Sequence, residues 1–383
     1  MAESKSDSQH RPVMLAFPFL IAFSLHLLLF ATAPMVTVIM EEIGLSHAQF
    51  GFLFSVAMIS VILLRVPWGL MADRKGYLRV LRIALPISAA SAFARALSPD
   101  YLTLLLSQLC LGMGLAAVMP CLSLLVQSWS RQTAGLSTGV YVSGFAAGNA
   151  TALGLTPSLL AMMGWRQVLL IYAGLGAVVS GLCWVLARSG VETTSELQLK
   201  DFGRLLKDRY VWVLAFFLIG AMGSYDTLAT WMPKVLAMKE LNTAFSSMLP
   251  LGFFLAGPVV GLASDKLRNR RTVVALLGCV AAASIISINY APFPLLLLCL
   301  FFAGFAPIGV LTIALAVPVE DERLPRSAGA VVGLVSALGN IGPLAMPVLF
   351  GFLVDLTGTF QAPVLAVAAL AGVTFVLGSR VSR

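Results

Sequence analysis

The chain has 383 residues, which would be enough for two or three soluble domains of ordinary size. Its composition excludes that organisation, because 59% of the residues are apolar and only 11% are charged. Soluble domains average roughly 45–50% apolar and about 25% charged residues. The mean hydropathy of +0.94 extends this excess along the whole chain. The protein must therefore be surrounded largely by lipid, and the sequence predicts an all-α polytopic membrane protein.

The net charge of +8 comes from unevenly placed basic residues. Most of the Lys and Arg residues fall at alternate ends of the apolar segments. Four are assigned to the opposite ends: Arg95, Arg166, Lys234 and Lys239. By the positive-inside rule, this asymmetry predicts that both termini are cytoplasmic and that the number of spans is even. The basic charge is thus explained by topology in a cell membrane, such as a bacterial inner membrane, and nucleic acid is not expected as a partner.

Twelve apolar segments follow one another along the chain, each with the length of a membrane span. They are predicted at 13–40, 47–70, 78–97, 101–128, 136–162, 167–187, 210–236, 244–263, 272–290, 294–317, 327–354 and 361–379. The longest polar stretch divides them six and six. We therefore predict an N-terminal six-helix bundle over 1–187, a cytoplasmic linker over 188–209, and a C-terminal six-helix bundle over 210–383.

The two halves carry an internal repeat. Three features recur about half a chain length later, at separations of 192, 192 and 191 residues: Gly69 and Gly261, Gly112 and Gly304, and Gly148 and Gly339. Because each half has an even number of spans, both insert in the same orientation. Parallel repeats of this kind place the substrate site at their interface, near the membrane midplane.

The polar segment after the second span resembles the cytoplasmic loop signature of the major facilitator superfamily. It reads Gly69-Leu-Met-Ala-Asp73-Arg74-Lys-Gly76-Tyr-Leu-Arg79, and a degenerate copy follows the eighth span. The resemblance implies transport by alternating access, with rocking of the two bundles and this loop as a latch. Asp73 can accept hydrogen bonds from a helix N-terminus or pair with Arg. The predicted latch residues are Gly69, Asp73, Arg74, Gly76, Arg79, Gly261 and Asp265.

Two further motifs are similar to the nitrate/nitrite porters and the cyanate-type permeases within that superfamily. They are the Arg65-Val-Pro-Trp-Gly69 segment of the second span and the Gly148-Asn149 pair of the fifth. The porters commonly carry a second Arg in the eighth span, where this chain has Gly257. The fifth span also lacks the Gly-Pro step that is typical of drug/proton antiporters.

Arg65 is the most informative residue inside a span. An intramembrane Arg costs about 2.5–3.5 kcal/mol on insertion scales, so it should face a partner or a watery cavity. Its planar guanidinium suits bidentate binding of a carboxylate or an oxyanion. The alternative is a structural Arg65 that snorkels to the interface or pairs with Asp73.

Two titratable residues are candidates for proton coupling. Asp226 is the only carboxylate well inside a span, and His26 lies near the middle of the first span. The alternative for Asp226 is an outer gate residue capped by Ser224 or Thr227. The alternative for His26 is ordinary packing.

Five uncharged polar residues complete the predicted substrate-binding set around Arg65: Asn149, Asn340, Gln108, Tyr141 and Tyr225. The two asparagines occupy equivalent places in the two halves, which favours a position on the cavity wall. Bridging between helices is the alternative for all five.

These observations predict a secondary active transporter for a small anion, either of the nitrate/nitrite class or a short carboxylate, working by proton symport or exchange. Proton-coupled efflux of drugs or metabolites is the alternative, and a sensor on the same fold is a third possibility. No catalytic, nucleotide-binding or metal-binding motif is present, and the five cysteines lie in apolar segments. We expect no enzyme activity, no cofactor and no metal. The expected partners are the anion, the lipid bilayer and, for symport, protons. The protein is expected to act as a monomer.

Overall fold

The computed structural model describes residues 5–129, 134–187, 203, 205–267, 270–320 and 328–379. Within these residues the regular structure is helical. In chain order the α-helices are α1 Lys5–Phe30, α2 Val36–Ile43, α3 His47–Ser55, α4 Ala57–Lys75, α5 Tyr77–Ala96, α6 Tyr101–Trp129, α7 Ala134–Leu160, α8 Trp165–Leu186, α9 Arg209–Met238, α10 Met248–Leu267, α11 Arg270–Ser287, α12 Leu295–Glu320, α13 Ala328–Gly339, α14 Ile341–Thr357 and α15 Gln361–Ser379. Two short 3₁₀ helices, Ala33–Met35 and Thr243–Ser247, precede α2 and α10.

Each of the twelve predicted apolar segments contains helix. Nine helical stretches among the described residues are long and apolar enough to cross a membrane, and Thr272–Ser287 and Gln361–Val373 are shorter apolar helices. These findings confirm the all-α membrane fold. The N-terminal limit of the C-terminal bundle, predicted at 210, is close to the start of α9 at Arg209. Most of the predicted linker over 188–209 lies outside the described residues.

Three breaks within spans were not predicted from the sequence. The second span is interrupted at a single residue, Val56, between α3 and α4, and the breaks in the first and eleventh spans bear on the site. The first span leaves the α-helix after Phe30 and passes through the 3₁₀ helix that contains Pro34 before α2 begins. The eleventh span is interrupted between Gly339 and Ile341, at Asn340. Because an interrupted helix leaves backbone carbonyls without their usual N–H partners, each break creates an acceptor that side chains can reach.

Equivalent helices pack in the same way in the two halves. Helix α4 lies against α6 and α5 against α8, as α10 lies against α12 and α11 against α15. Gly112 and Gly304 show the match at atomic detail. A Cβ on Gly112 would overlap the backbone carbonyl of Ala57, and a Cβ on Gly304 would overlap that of Leu249. Those two partners are also 192 residues apart, so the structure confirms that the two halves are repeats of each other.

The two halves meet along a seam, whose ends we name from the predicted topology. The outer end carries Gly44 and Gly164, and the inner end carries Gly76. At the outer end α3 packs on α14, and α7 packs on the 3₁₀ helix before α10. Gly51 of α3 lies so close to the Pro347 carbonyl of α14 that no side chain would fit. In the inner half of the seam, α4 contacts α13.

Candidate functional site

A chain of hydrogen bonds crosses the seam through Asn149. His26 of α1 places its Nδ1 3.1 Å from Oδ1 of Asn149 in α7, and Nδ2 of Asn149 donates to the hydroxyl of Tyr225 in α9 at 3.2 Å. An amide oxygen can only accept, so Nδ1 of His26 carries the hydrogen. Nε2 is then the ring nitrogen left to accept a proton or to contact a ligand.

A second polar link crosses the seam at Arg65. Nη1 of Arg65 in α4 donates to the backbone carbonyl of Ser336 in α13 at 3.0 Å. The side-chain Nδ2 of Asn340 donates to the same oxygen at 2.6 Å. The backbone N–H of Asn340 bonds instead to Ala337, at 3.2 Å, which leaves the Ser336 carbonyl for side chains. The break in the eleventh span thus supplies the acceptor that Arg65 uses.

Arg65 retains unused donor capacity. A guanidinium has five N–H donors, and Nε of Arg65 is buried without a hydrogen-bond partner among the described residues. No described carboxylate forms an ion pair with it either. Arg65 also lies within electrostatic range of His26. The seam therefore contains a fixed positive charge that is not neutralised by a described acidic side chain.

Aromatic rings surround the polar residues from both halves. The ring of Phe145 lies 4.3 Å from that of His26, centroid to centroid, and Tyr225 contacts Phe30 and Phe253 edge to face. Tyr141 extends this cluster, since its ring contacts Phe145. The site is therefore polar in its centre and aromatic at its walls.

Asp226 follows Tyr225 directly on α9 and is half-buried. Its carboxylate accepts no hydrogen bond from the described residues. Neither of the caps weighed for it is formed: Ser224 donates to the Gly220 carbonyl, and Oγ1 of Thr227 has no partner in the described part of the chain.

Gln108 is a predicted binding residue that the structure places away from the seam. It is fully buried within the N-terminal half, where its Oε1 accepts a hydrogen bond from Nη1 of Arg95 at 2.7 Å. Arg95, which was assigned to the outer set of span ends, lies in the last turn of α5, and its burial was not predicted, since only 1% of its surface is exposed. The signal was present, since the predicted third span, 78–97, already enclosed this residue.

The predicted latch lies at the inner end. Gly76 joins α4 to α5 with φ of +88°, a conformation that favours glycine. Asp73 is half-buried, and Arg74 and Arg79 are exposed. The predicted latch residue Gly69 lies in α4, next to α6. Gly261 and Asp265 lie in α10, and their surroundings are outside the described part of the chain.

The outer end holds a polar contact that sequence reasoning missed. The carboxylate of Asp355, at the end of α14, accepts hydrogen bonds from His47 N at 3.1 Å, His47 Nδ1 at 2.7 Å and Ala48 N at 2.8 Å. Asp355 thus caps the N-terminus of α3 across the seam. A cleft of about 500 Å³ lies beside it, lined in part by His47, Lys234 and Phe360.

A membrane protein made of two repeated helical bundles, with its polar site at the seam between them, belongs to the class of membrane transporters. A family model described as "Major Facilitator Superfamily" matches residues 18–252 and 239–381. The chain therefore belongs to the Major Facilitator Superfamily, and it is a transporter and not an enzyme.

Two relatives and one solved structure illustrate the similarity. The nitrite extrusion protein of Bacillus subtilis is 22% identical over 350 residues, covering 88% of this chain and 86% of that protein. The D-galactonate transporter of Escherichia coli O6:H1 is 25% identical over 388 residues, covering 88% of each. The crystal structure of a bacterial homologue of the human lysosomal transporter Spinster, inward-facing and unoccupied, shares the fold with a TM-score of 0.77. That structure is 16% identical and covers 99% of this chain and 98% of its own.

Proposed function

We propose that this transporter moves a small anion, of the nitrate/nitrite class or a short carboxylate, by alternating access with proton symport or exchange. The observation that carries the proposal is the uncompensated charge of Arg65. Its guanidinium lies at the seam, donates to one backbone carbonyl, and has no carboxylate partner among the described residues. A bound anion would supply the charge that the site lacks.

The chemistry around Arg65 favours an anion over a cation. Asn149 and Asn340 contribute neutral amides, and Tyr225 contributes a hydroxyl. A fixed positive charge among neutral donors attracts anions and repels lipophilic cations. The Ser336 carbonyl accepts from the guanidinium of Arg65 in the way that a ligand oxygen would. When an oxyanion binds, Arg65 therefore exchanges a neutral oxygen acceptor for a charged one.

His26 is the proposed coupling residue for symport. Its Nδ1 is engaged by Asn149, so protonation takes place at Nε2 and produces an imidazolium near Arg65. That additional positive charge favours anion binding, which in turn favours protonation, so anion and proton bind cooperatively. Asp226 is the second coupling candidate, and exchange of one anion for another needs neither residue.

Alternating access requires contacts that differ between the two orientations of the halves. The bonds from Arg65 to Ser336 and from Asn149 to Tyr225 both cross the seam. A ligand that replaces the first bond therefore changes what holds the halves together. The relatives named above include a nitrite extrusion protein and a D-galactonate transporter, which supports an anionic substrate.

Efflux of drugs or metabolites is the second candidate function. The aromatic wall formed by Phe30, Phe145, Tyr225 and Phe253 favours it, because such rings bind apolar or cationic molecules. Arg65 opposes it for cations.

A ligand screen by thermal shift separates these candidates. Purified protein is heated with nitrate, nitrite, D-galactonate or tetraphenylphosphonium, and the screen is repeated on Arg65→Ala and on Arg166→Ala. Arg166 is a half-buried arginine paired with Glu42 and serves as the matched control. We expect at least one anion to stabilise the wild type and Arg166→Ala, but not Arg65→Ala. Stabilisation of all three by anions would make Arg65 structural, and stabilisation by tetraphenylphosphonium alone would favour efflux.

Counterflow in liposomes then tests transport, because a sensor would bind the anion without exchanging it across the bilayer. The proposal includes a location in the cell membrane with cytoplasmic termini and a monomeric state. A tag at either terminus that is reached by protease from outside intact cells would contradict the orientation.

A further inference from the structure

Arg95 connects three helices in the interior of the N-terminal half. From α5, its Nη1 donates to Gln108 of α6 and its Nη2 to the backbone carbonyl of Leu28 in α1, both at 2.7 Å. Arg95 and Gln108 are 1% and 0% exposed. Nε of Arg95 and Nε2 of Gln108 have no partner among the described residues.

The break in the first span explains why Leu28 accepts this bond. The helical ladder of α1 ends with the bond from Ala31 N to the Leu27 carbonyl at 3.0 Å. Beyond it the chain turns into the 3₁₀ helix Ala33–Met35, so the carbonyl of Leu28 is available to a side chain. A cation is also favoured there, because the C-terminus of a helix carries partial negative charge.

The charge of Arg95 is not compensated. Its side-chain partner Gln108 is neutral, and within the described ranges no carboxylate pairs with it. In an interior of low dielectric, an unpaired charge acts over longer distances than it would in water. Leu28 is two residues from His26 on the same helix, which places Arg95 about 10 Å, or one helix diameter, from the seam site.

We propose that Arg95 supplies a second positive charge that raises the affinity of the seam site for anions without touching the ligand, and that Gln108 preserves this effect by holding the guanidinium without neutralising it. Arg95 is in this sense a specificity-determining residue. The inference rests on the proposed anion transport. A charge at that distance changes anion affinity about tenfold at the effective dielectric of a protein interior.

Gln108→Glu is the decisive variant. It is nearly isosteric and keeps the hydrogen bond to Arg95, but it neutralises the local charge. We expect the dissociation constants for nitrate, nitrite and D-galactonate to rise about tenfold, with a thermal midpoint equal to or above that of the wild type. Gln108→Met removes one acceptor and keeps the charge, which the bond to the Leu28 carbonyl still holds in place. We therefore expect it to lower the midpoint and to leave anion affinity unchanged. A purely structural Arg95 predicts the reverse pattern for affinity.

Two further variants keep the test decisive. Gln361→Glu makes the same change at an exposed position of the outer end and should leave affinity unchanged, because solvent screens it. If Gln108→Glu does not fold, the double variant Arg95→Met with Gln108→Leu removes the charge and both polar side chains, and its affinity should fall by the same factor.

The outcomes separate this inference from the proposed function. If none of the three anions binds the wild type, or if they bind wild type and Arg65→Ala equally, the proposed function fails. If Arg65→Ala loses binding but Gln108→Glu, or the double variant in its place, binds as tightly as the wild type, the role of Arg95 is overturned.

Discussion

The two arginines inside the spans, Arg65 and Arg95, make the same contact in different places. Each donates to a backbone carbonyl that is freed where a transmembrane helix is interrupted, that of Ser336 for Arg65 and that of Leu28 for Arg95. The bond of Arg65 crosses the seam between the halves. Arg95 bonds only within the N-terminal half, where it is also tied to Gln108.

This difference separates two uses of a buried cation. A contact across the seam changes when the halves move, so in the proposed function Arg65 exchanges its carbonyl for a ligand. A contact within one half persists through the movement, so in the proposed role Arg95 holds the broken first span and provides a constant field. Under both proposals, position relative to the seam, rather than residue type, separates the binding residue Arg65 from Arg95, which acts at a distance.

The largest expected effect is on stability, and it belongs to Arg95. Arg95→Met leaves the Leu28 carbonyl and Gln108 unpaired, which should lower the free energy of unfolding by about 3 kcal/mol. Arg65→Met should cost less than about 1 kcal/mol, because Asn340 still donates to Ser336. Unfolding in mixed micelles with increasing SDS measures both. Adding Gln108→Leu to Arg95→Met should recover part of the loss, and equal losses for the two single variants would abolish the distinction.

The next effect is on ligand affinity, and it belongs to Arg65. Lysine can replace the bond to Ser336 but cannot bind an oxyanion with two parallel donors. Arg65→Lys should therefore weaken anion binding by about 2 kcal/mol while the unfolding free energy stays close to that of the wild type. Titration of the anions identified in the screen measures it. Arg95→Lys is the control, since it keeps the buried charge, and a larger loss of affinity there than in Arg65→Lys would contradict the assignment.

The repeat allows a second charge to be added on purpose. The residue 192 positions after Arg65 is Gly257 in α10, and a Cβ at Gly257 would meet no atom within 4 Å. Gly257→Arg should therefore be accommodated, and it should strengthen anion binding by about 1.4 kcal/mol, or tenfold. Placed in the Gln108→Glu background, it should restore the affinity lost there. Failure to restore binding in a folded double variant would show that Gly257 does not face the site.

The sequence was sufficient to predict the repeat and to identify Arg65 as a charge inside a span, because both depend on local features. Hydrophobic segments reveal spans, and a charge within one is too costly to be incidental. The breaks also leave a local trace. Pro34 lies at the break in the first span and Pro343 lies shortly after the break in the eleventh span. Neither residue has an N–H to continue a helical ladder.

The partners of these residues could not be read from the sequence. Arg95 and Leu28 are 67 residues apart, and Arg65 and Ser336 are 271 apart, so each contact depends on how whole helices pack. Gln108 was predicted to line the cavity, with bridging between helices as the alternative, because the sequence does not show which of the two a buried amide does. Only the position of α5 beside α6 shows that it contacts Arg95. The outer cap by Asp355 was missed for the same reason.

That outer cap gives the smallest expected effect. Asp355 accepts backbone bonds from His47 and Ala48 of the other half, whereas Asp100 caps Thr103 within its own half at 2.9 Å. Asp355→Asn replaces one acceptor with an amide donor that faces an N–H group, so the closed outer end should lose about 1 kcal/mol relative to the open one.

Ser247→Cys reports on this opening, because Ser247 packs on Gly154 across the outer seam. An impermeant thiol reagent added from the predicted outer side should label it several times faster when Asp355→Asn is also present. Asp100→Asn carries the same chemical change within one half and should leave the labelling rate unchanged. Equal acceleration by both variants would mean that the outer end loosens generally. The bond of Asp355 across the seam would then have no more influence on opening than the bond of Asp100 within one half.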